Sequence, residues 1–171
     1  MDRNEIFILI GPKGTGKTFI GRILGKEFGF NFIEVERIFK ALKGDRLYND
    51  KHYIEEGFNV LTNTIKEGVK QNHIVFESTG LTDEFRVLLE ELKSNHRVIL
   101  IHVKTPLPLC MERIAMRDAS DQIALTKSSI EEINNASIKQ LFSYDFVIDN
   151  TNLDKRGLVK LLKSIVKDAT A

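Results

Sequence analysis

The run "FILIGPKGTGKTFIGRIL", Phe7 to Leu24, constrains this chain more than any other stretch. Four apolar residues lead into a segment holding Gly11, Gly14 and Gly16, and Lys17-Thr18 stands where a helical pattern begins. An unbroken apolar run closed by glycine is what a strand buried on both faces needs. Thr18 to Phe28 then places Phe19, Ile20, Ile23 and Leu24 at helical spacing. Strand, tight turn and helix in that order form half of a βα crossover unit. The rest of the chain must supply the partners for it.

Those partners can be read off the periodicity. Short β-favouring runs recur at 6–10, 32–35, 73–76, 97–103 and 144–149. Helical patterns fall between them: Tyr53 to Val69 with Ile54, Phe58, Leu61 and Ile65 on one face, and Asp83 to Leu92 with Phe85, Leu88, Leu89 and Leu92. Thr82 or Asp83 suits the cap of the second of these, and Ser78 and Thr79 compete for that role. Further helices are expected in "LPLCMERIAMRD", "SSIEEINNASIKQLF" and "LDKRGLVKLLKSIVKDA". The alternation predicts an α/β domain of three layers with a parallel sheet. With 171 residues, no repeat and no linker, residues 1–171 read as a single domain. The polar, aperiodic stretches 43–52 and 117–129 are its interruptions.

The glycine segment also carries chemistry. "GPKGTGKT" satisfies the pattern of Gly, four residues and Gly-Lys-Thr at Gly11, Gly16, Lys17 and Thr18, with a strand before it and a helix after. Glycines let successive backbone N–H groups, including those of Gly14, Thr15 and Gly16, converge on one anion. The helix start adds free donors and the positive end of its dipole. Lys17 can then reach the β- and γ-phosphates, and the Thr18 hydroxyl can ligate Mg²⁺. ATP with Mg²⁺ is the expected ligand.

The opening "GPKGTGKTFIGRILGKEFGFNFIEVERI" resembles the shikimate kinase family within the small P-loop kinases. Gly21, Arg22 and Leu24 match the family's first helix, and Glu34-Val35-Glu36 stands where that family has Asp-x-Asp. The resemblance implies a P-loop NTPase fold with five parallel strands in the order 2-3-1-4-5. It also implies a short lid, at about 117–129 here. Carboxylates near a γ-phosphate can hold Mg²⁺ through water and accept an acceptor's proton. Of Glu34 and Glu36, Glu36 is expected as the substrate-side acid. Glu77 closes the apolar run "HIVF", where a second Mg²⁺-associated acid would sit beyond the strand ends. Arg113 and Arg117 lie four apart before the lid, and similar kinases use such arginines on the nucleotide and the transferring phosphoryl group. "DNTN" at 149–152 follows the fifth strand, where relatives place the adenine loop, which singles out Asn152.

The resemblance stops short of the acceptor. "DKHYIEEGFNVL" and "SSIEEINNASIKQLF" contain no counterpart of the arginines that grip shikimate's carboxylate, and the family's glycine triplet is missing at "ESTG". A lysine such as Lys139 does not reproduce a bidentate guanidinium. The expectation is therefore phosphoryl transfer from ATP·Mg to a different small hydroxylated or nucleotide-like acceptor. An ATP- or GTP-dependent switch is the alternative. Against it, "NTNLD" and "TKSS" lack a guanine-specific motif, and "IVFES" carries one acid where motor ATPases carry two.

Bulk properties agree with an enzyme of small molecules. Lys and Arg total 25 against 24 Asp and Glu, a net charge of +1 that gives long nucleic acid no electrostatic footing; a nucleic-acid end remains a lesser candidate. Cys110 is the single cysteine, excludes an internal disulfide and reads as a small core residue in a reducing compartment. No apolar run reaches a membrane span and no leader pattern opens the chain, so a cytoplasmic setting is expected. The four histidines show no zinc spacing.

Overall fold

In the computed structural model, which describes residues 4–171, the sheet order is β2-β3-β1-β4-β5 with every pairing parallel. β1 (Ile6–Ile10) lies at the centre and all five of its residues are buried. Ile6 is in register with Ile74 of β3 (Ile74–Ser78) on one side and Val98 of β4 (Val98–Lys104) on the other. β2 (Asn31–Ile33) and β5 (Phe146–Asp149) form the edges.

The unbroken apolar run of β1 serves two cores, because alternate residues point to opposite faces. Phe7 and Leu9 pack with Ile20, Ile23 and Leu24 of α1 (Lys17–Phe28). Leu158, Leu162 and Ile165 of α7 (Lys155–Ala169) complete that face. Ile6, Ile8 and Ile10 pack with Leu61 and Ile65 of α3 (Lys51–Gly68) and with Phe85, Leu88, Leu89 and Leu92 of α4 (Asp83–Asn95). The result is the three-layer arrangement, with Thr82 capping α4 by accepting from the Phe85 amide at 3.2 Å.

One expected element changes. The strand expected at 32–35 ends at Ile33, Glu34 becomes a helix cap, and α2 (Val35–Lys43) follows in a stretch where no helix was expected. Its apolar residues Val35, Ile38, Phe39 and Leu42 do recur at helical spacing, but α2 buries no residue fully: Val35 and Ile38 pack on the margin of the core, and the helix lies mainly against α3. Phe39 meets Tyr53 edge-on at 5.5 Å and Phe58 at 5.6 Å, and the Tyr53 hydroxyl donates to the Phe39 carbonyl at 2.7 Å. Gly57 makes this contact possible, since a Cβ there would lie 2.4 Å from the Phe39 ring. Beyond the sheet, α5 (Leu107–Met116), a 3₁₀ turn at Ala119–Asp121 and α6 (Lys127–Ser137) frame the carboxyl ends of the strands.

Candidate active site

Elements converge where β1 ends. The Gly11 amide donates to the Ser78 carbonyl at 3.2 Å, joining the glycine loop to the end of β3. Gly14 and Gly16 adopt φ of 86° and 94°, the left-handed region that residues with a Cβ resist. Space forbids a Cβ as well: at Gly14 it would stand 2.4 Å from the Cys110 carbonyl, and at Gly16 2.3 Å from the Asn150 amide. Gly11 is pressed against the Val103 carbonyl in the same way. The backbone is thus held in a loop that ends at the N-terminus of α1, with Gly16 as the cap residue and no side-chain capping hydrogen bond.

Lys17 opens α1 and is 7% exposed. Its Nζ donates to the carbonyls of Gly11 at 2.7 Å and Pro12 at 2.6 Å, so the ammonium lies under its own loop. Burial pulls its pKa from 10.5 down to about 8, with the nearby Glu77 carboxylate opposing the shift. Thr18 donates to both Glu77 oxygens, at 3.1 and 2.8 Å. Burial pushes the Glu77 carboxyl above its ordinary range, against the pull of Lys17 and the Thr18 hydrogen bond. Two neighbouring ionisable groups are therefore each biased toward neutrality by burial.

Glu36 sits in the first turn of α2, on the other side of the cavity mouth. It meets Lys13 Nζ at 3.4 Å and Arg117 at 3.8 Å, and accepts from the Ile123 amide at 3.1 Å. Burial pushes this carboxyl up, but Lys13, the Ile123 N–H and Arg117 together outweigh it and hold the pKa below the ordinary carboxylate range. Segment 117–123 is in this way pinned to α2, and Lys40 Nζ adds a hydrogen bond to the Ser120 carbonyl. Glu34 is engaged elsewhere, with Arg22 at 3.1 Å and Arg37 at 2.9 Å.

The remaining expected residues divide. Arg113 borders the cavity and donates to the Asn150 carbonyl at 2.8 Å and the Thr151 carbonyl at 3.3 Å. Thr15 is buried, its hydroxyl turned to the Pro12 carbonyl at 3.0 Å, so its backbone is what faces the loop. Asn152 is exposed and lies apart from the cavity lining. Its neighbour Asn150 is buried instead and donates to the Thr15 carbonyl at 2.8 Å. Sequence reasoning missed three groups. Asn134 of α6 is buried and brackets Lys13, accepting from its amide at 2.8 Å and donating to its carbonyl at 3.0 Å. Asn150 braces the loop from β5, and Lys13 supplies a cation within the motif itself. No spacing announces the two asparagines, because their partners are about 120 to 135 positions away.

Lys13, Lys17, Thr18, Glu36, Glu77 and the two arginines Arg113 and Arg117 border a cavity of about 630 Å³ that runs from the glycine loop to residues of α2, α3 and α4. The residues fit a magnesium-chelated triphosphate. A loop that only glycine can form aims backbone at the start of α1, a buried lysine lies under it, and Thr18 is paired with one carboxylate. Mg²⁺ is commonly held by one or two protein oxygens plus phosphate, and no group of three or more His, Cys, Asp or Glu that could hold a metal occurs among the described residues.

Comparison with known proteins places the chain. It is 25% identical over 177 residues to a cytidylate kinase of Methanocaldococcus jannaschii, covering 94% of this chain and 97% of that protein. The fold matches the shikimate kinase of Acinetobacter baumannii, solved with shikimate, at a TM-score of 0.66, with 19% identity over 98% of this chain and 96% of the other. It also matches the APS kinase of Mycobacterium tuberculosis at a TM-score of 0.67, with 14% identity and 98% coverage of each chain. No helix among the described residues is long and apolar enough to cross a membrane. The AAA-domain profile spans residues 6–139, most of the chain, and the protein therefore belongs to that family and carries the P-loop kinase fold.

Proposed function

We propose that this protein is an ATP-dependent kinase that transfers the γ-phosphoryl group to a small hydroxylated acceptor. The observation that carries the reading is the cavity itself. It continues from the glycine loop, Lys17, Thr18 and Glu77 to residues of α2, α3 and α4, room beyond a triphosphate that a nucleotide switch would not need. Relatives named as cytidylate kinases align along nearly the whole chain, which supports phosphoryl transfer without fixing the acceptor.

Each residue then has a task. Backbone amides of Gly14, Thr15 and Gly16 surround the phosphates, and Lys17 supplies a fixed positive charge at their far end. Thr18 and Glu77 are the groups that would hold Mg²⁺, which would supply positive charge against the phosphate oxygens. Glu36 faces the acceptor side and takes up the proton released as the acceptor oxygen bonds to phosphorus and the bond to ADP breaks. Its low basicity suits it to orienting the hydroxyl, and catalysis then comes mainly from positioning and electrostatics. Arg113 anchors the 150–151 backbone beside the nucleotide, and Asn152, outside the cavity lining, would reach the nucleotide only from the loop that follows. Arg117 carries charge from the 117–129 segment, which closes as a lid within a single kinase unit and excludes water.

Lys17→Ala tests the assignment. Turnover of ATP should fall to background while circular dichroism and the thermal transition keep a folded protein. Full retained turnover in that variant rejects the catalytic role of the loop.

A further inference from the structure

Residue 13 of the glycine loop spends its backbone on the fold. The Lys13 amide donates to the Asn134 side chain at 2.8 Å, and the Lys13 carbonyl accepts from the same side chain at 3.0 Å. Asn134 is buried in α6, and one turn later the Ser137 hydroxyl donates to the Thr79 carbonyl at 2.8 Å. α6 is thereby fixed to the loops that follow β1 and β3 together. The Lys13 N–H is not among the donors that the loop can offer an anion, so the side chain is what this residue has left for a ligand. That side chain lines the cavity.

Among the described residues the Lys13 ammonium has one side-chain partner, Glu36 at 3.4 Å. A charge-assisted hydrogen bond settles at about 2.7–2.9 Å, so the contact is loose and leaves the other ammonium donors open to a ligand. Burial pushes the Glu36 carboxyl up, and Lys13 is the strongest of the groups that hold it down. The same charge acts on Lys17 of α1 and Glu77 of β3, so it stands within reach of every ionisable group at the junction of loop and acceptor side. The other cations are placed differently. Lys17 lies under the loop, Arg113 is bound to the 150–151 carbonyls, and Arg117 belongs to the segment that Glu36 tethers.

We propose that Lys13 is a catalytic residue, whose ammonium leaves Glu36 for the oxygens of the γ-phosphoryl group as that group passes from ATP to the acceptor. The role rests on the kinase reading proposed above, which leaves this cation without a task. In the step, the acceptor oxygen bonds to phosphorus and the bond from phosphorus to the ADP oxygen breaks. The acceptor proton goes to Glu36, and Lys13 keeps its own. Departure of Lys13 leaves Glu36 with Arg117 and the Ile123 amide, so its basicity rises at the moment it takes the proton. One movement then supplies charge to the phosphoryl oxygens and a better base to the acceptor.

Lys13→Met tests this, since it keeps the stem and the backbone that Asn134 holds. Lys13→Gln, with a polar but uncharged tip, is the second variant, and circular dichroism confirms the fold of each. Binding is measured for a non-hydrolysable ATP analogue with Mg²⁺ and for ADP·Mg with aluminium fluoride, which imitates the phosphoryl group in transfer. Both are measured with and without cytidine 5′-monophosphate as the acceptor probe. Either variant should bind the ATP analogue within about three-fold of the unsubstituted protein and the fluoride complex about 100-fold more weakly. Lys13→Arg should recover most of that loss. The loss should also persist in a Glu36→Gln background, where no carboxylate is left for Lys13 to hold. Equal loss of both ligands, loss of neither, or a loss that vanishes with Glu36→Gln overturns the proposal and leaves the kinase reading standing. An unsubstituted protein that holds the ATP analogue yet gains nothing from aluminium fluoride, with or without the probe, rejects the kinase reading and the role of Lys13 with it.

Discussion

The buried ammonium of Lys17 should give nucleotide binding an unusual dependence on pH. Burial brings its pKa from 10.5 to about 8, so the free protein loses this charge well before an ordinary lysine would. A phosphate placed against it favours the charged form, and the pKa in the complex lies higher. The affinity contributed by Lys17 is then fully present below about pH 8 and falls as pH rises through that value. At about pH 9 roughly one free molecule in eleven is charged, against about three in four at pH 7.5, an expected loss of about eight-fold in affinity. Binding at about pH 9 must also take up about 0.9 proton, against about 0.1 at pH 7. Calorimetry in two buffers of different ionisation enthalpy reads this uptake directly. The sign of stability is opposite. The folded protein binds fewer protons than the unfolded chain between about 8 and 10.5, so the nucleotide-free fold gains on the order of 3 kcal/mol from this group as pH rises across that window. Proton uptake that stays flat between pH 7 and 9 would refute the reasoning, because a lysine with an ordinary pKa behaves that way.

Further predictions concern the supports of the site. Glu77→Gln keeps the Thr18 hydrogen bond but removes the charge, so the Mg²⁺ concentration for half-maximal turnover should rise at least about ten-fold while the fold persists; an unchanged metal dependence excludes Glu77 as a metal-side group. Asn134→Ala leaves both backbone groups of Lys13 without their side-chain partner and should cost about 1–3 kcal/mol in urea unfolding, together with weaker ATP binding. Gly57→Ala drives a methyl into the Phe39 ring and should cost about 1–3 kcal/mol. It should impair acceptor use more than ATP binding, a split that steady-state kinetics would show.

Much of the scaffold could be read in advance because it depends on near neighbours in sequence. The apolar run of β1, the glycines after it and the start of α1 all lie within 18 consecutive residues, and the structure keeps that order. The five strands fall within a few residues of their expected places, and the sheet order implied by the family resemblance is the one observed. α2 was the exception. The run 32–35 assigns Val35 to a strand, which hides the helical spacing from Val35 to Leu42. That shift moves Glu36 from a strand end to a helix, although it still borders the cavity. Asn134 and Asn150 were invisible for a different reason. An amide's role is set by whichever backbone the tertiary fold brings to it: "DNTN" marked the right loop but singled out Asn152 where Asn150 is the buried one, and nothing local marks Asn134. The same holds for the aromatic lining, gathered from α2, α3, β3, α4 and a loop.

Glu36 and Phe39 are one turn apart on α2, where one holds the Ile123 tether and the other packs on Tyr53 and borders the cavity. On the kinase reading proposed above, a molecule bound beside Phe39 would bear on the same helix that holds segment 117–123, so a change in α2 should alter acceptor binding and retention of that segment together.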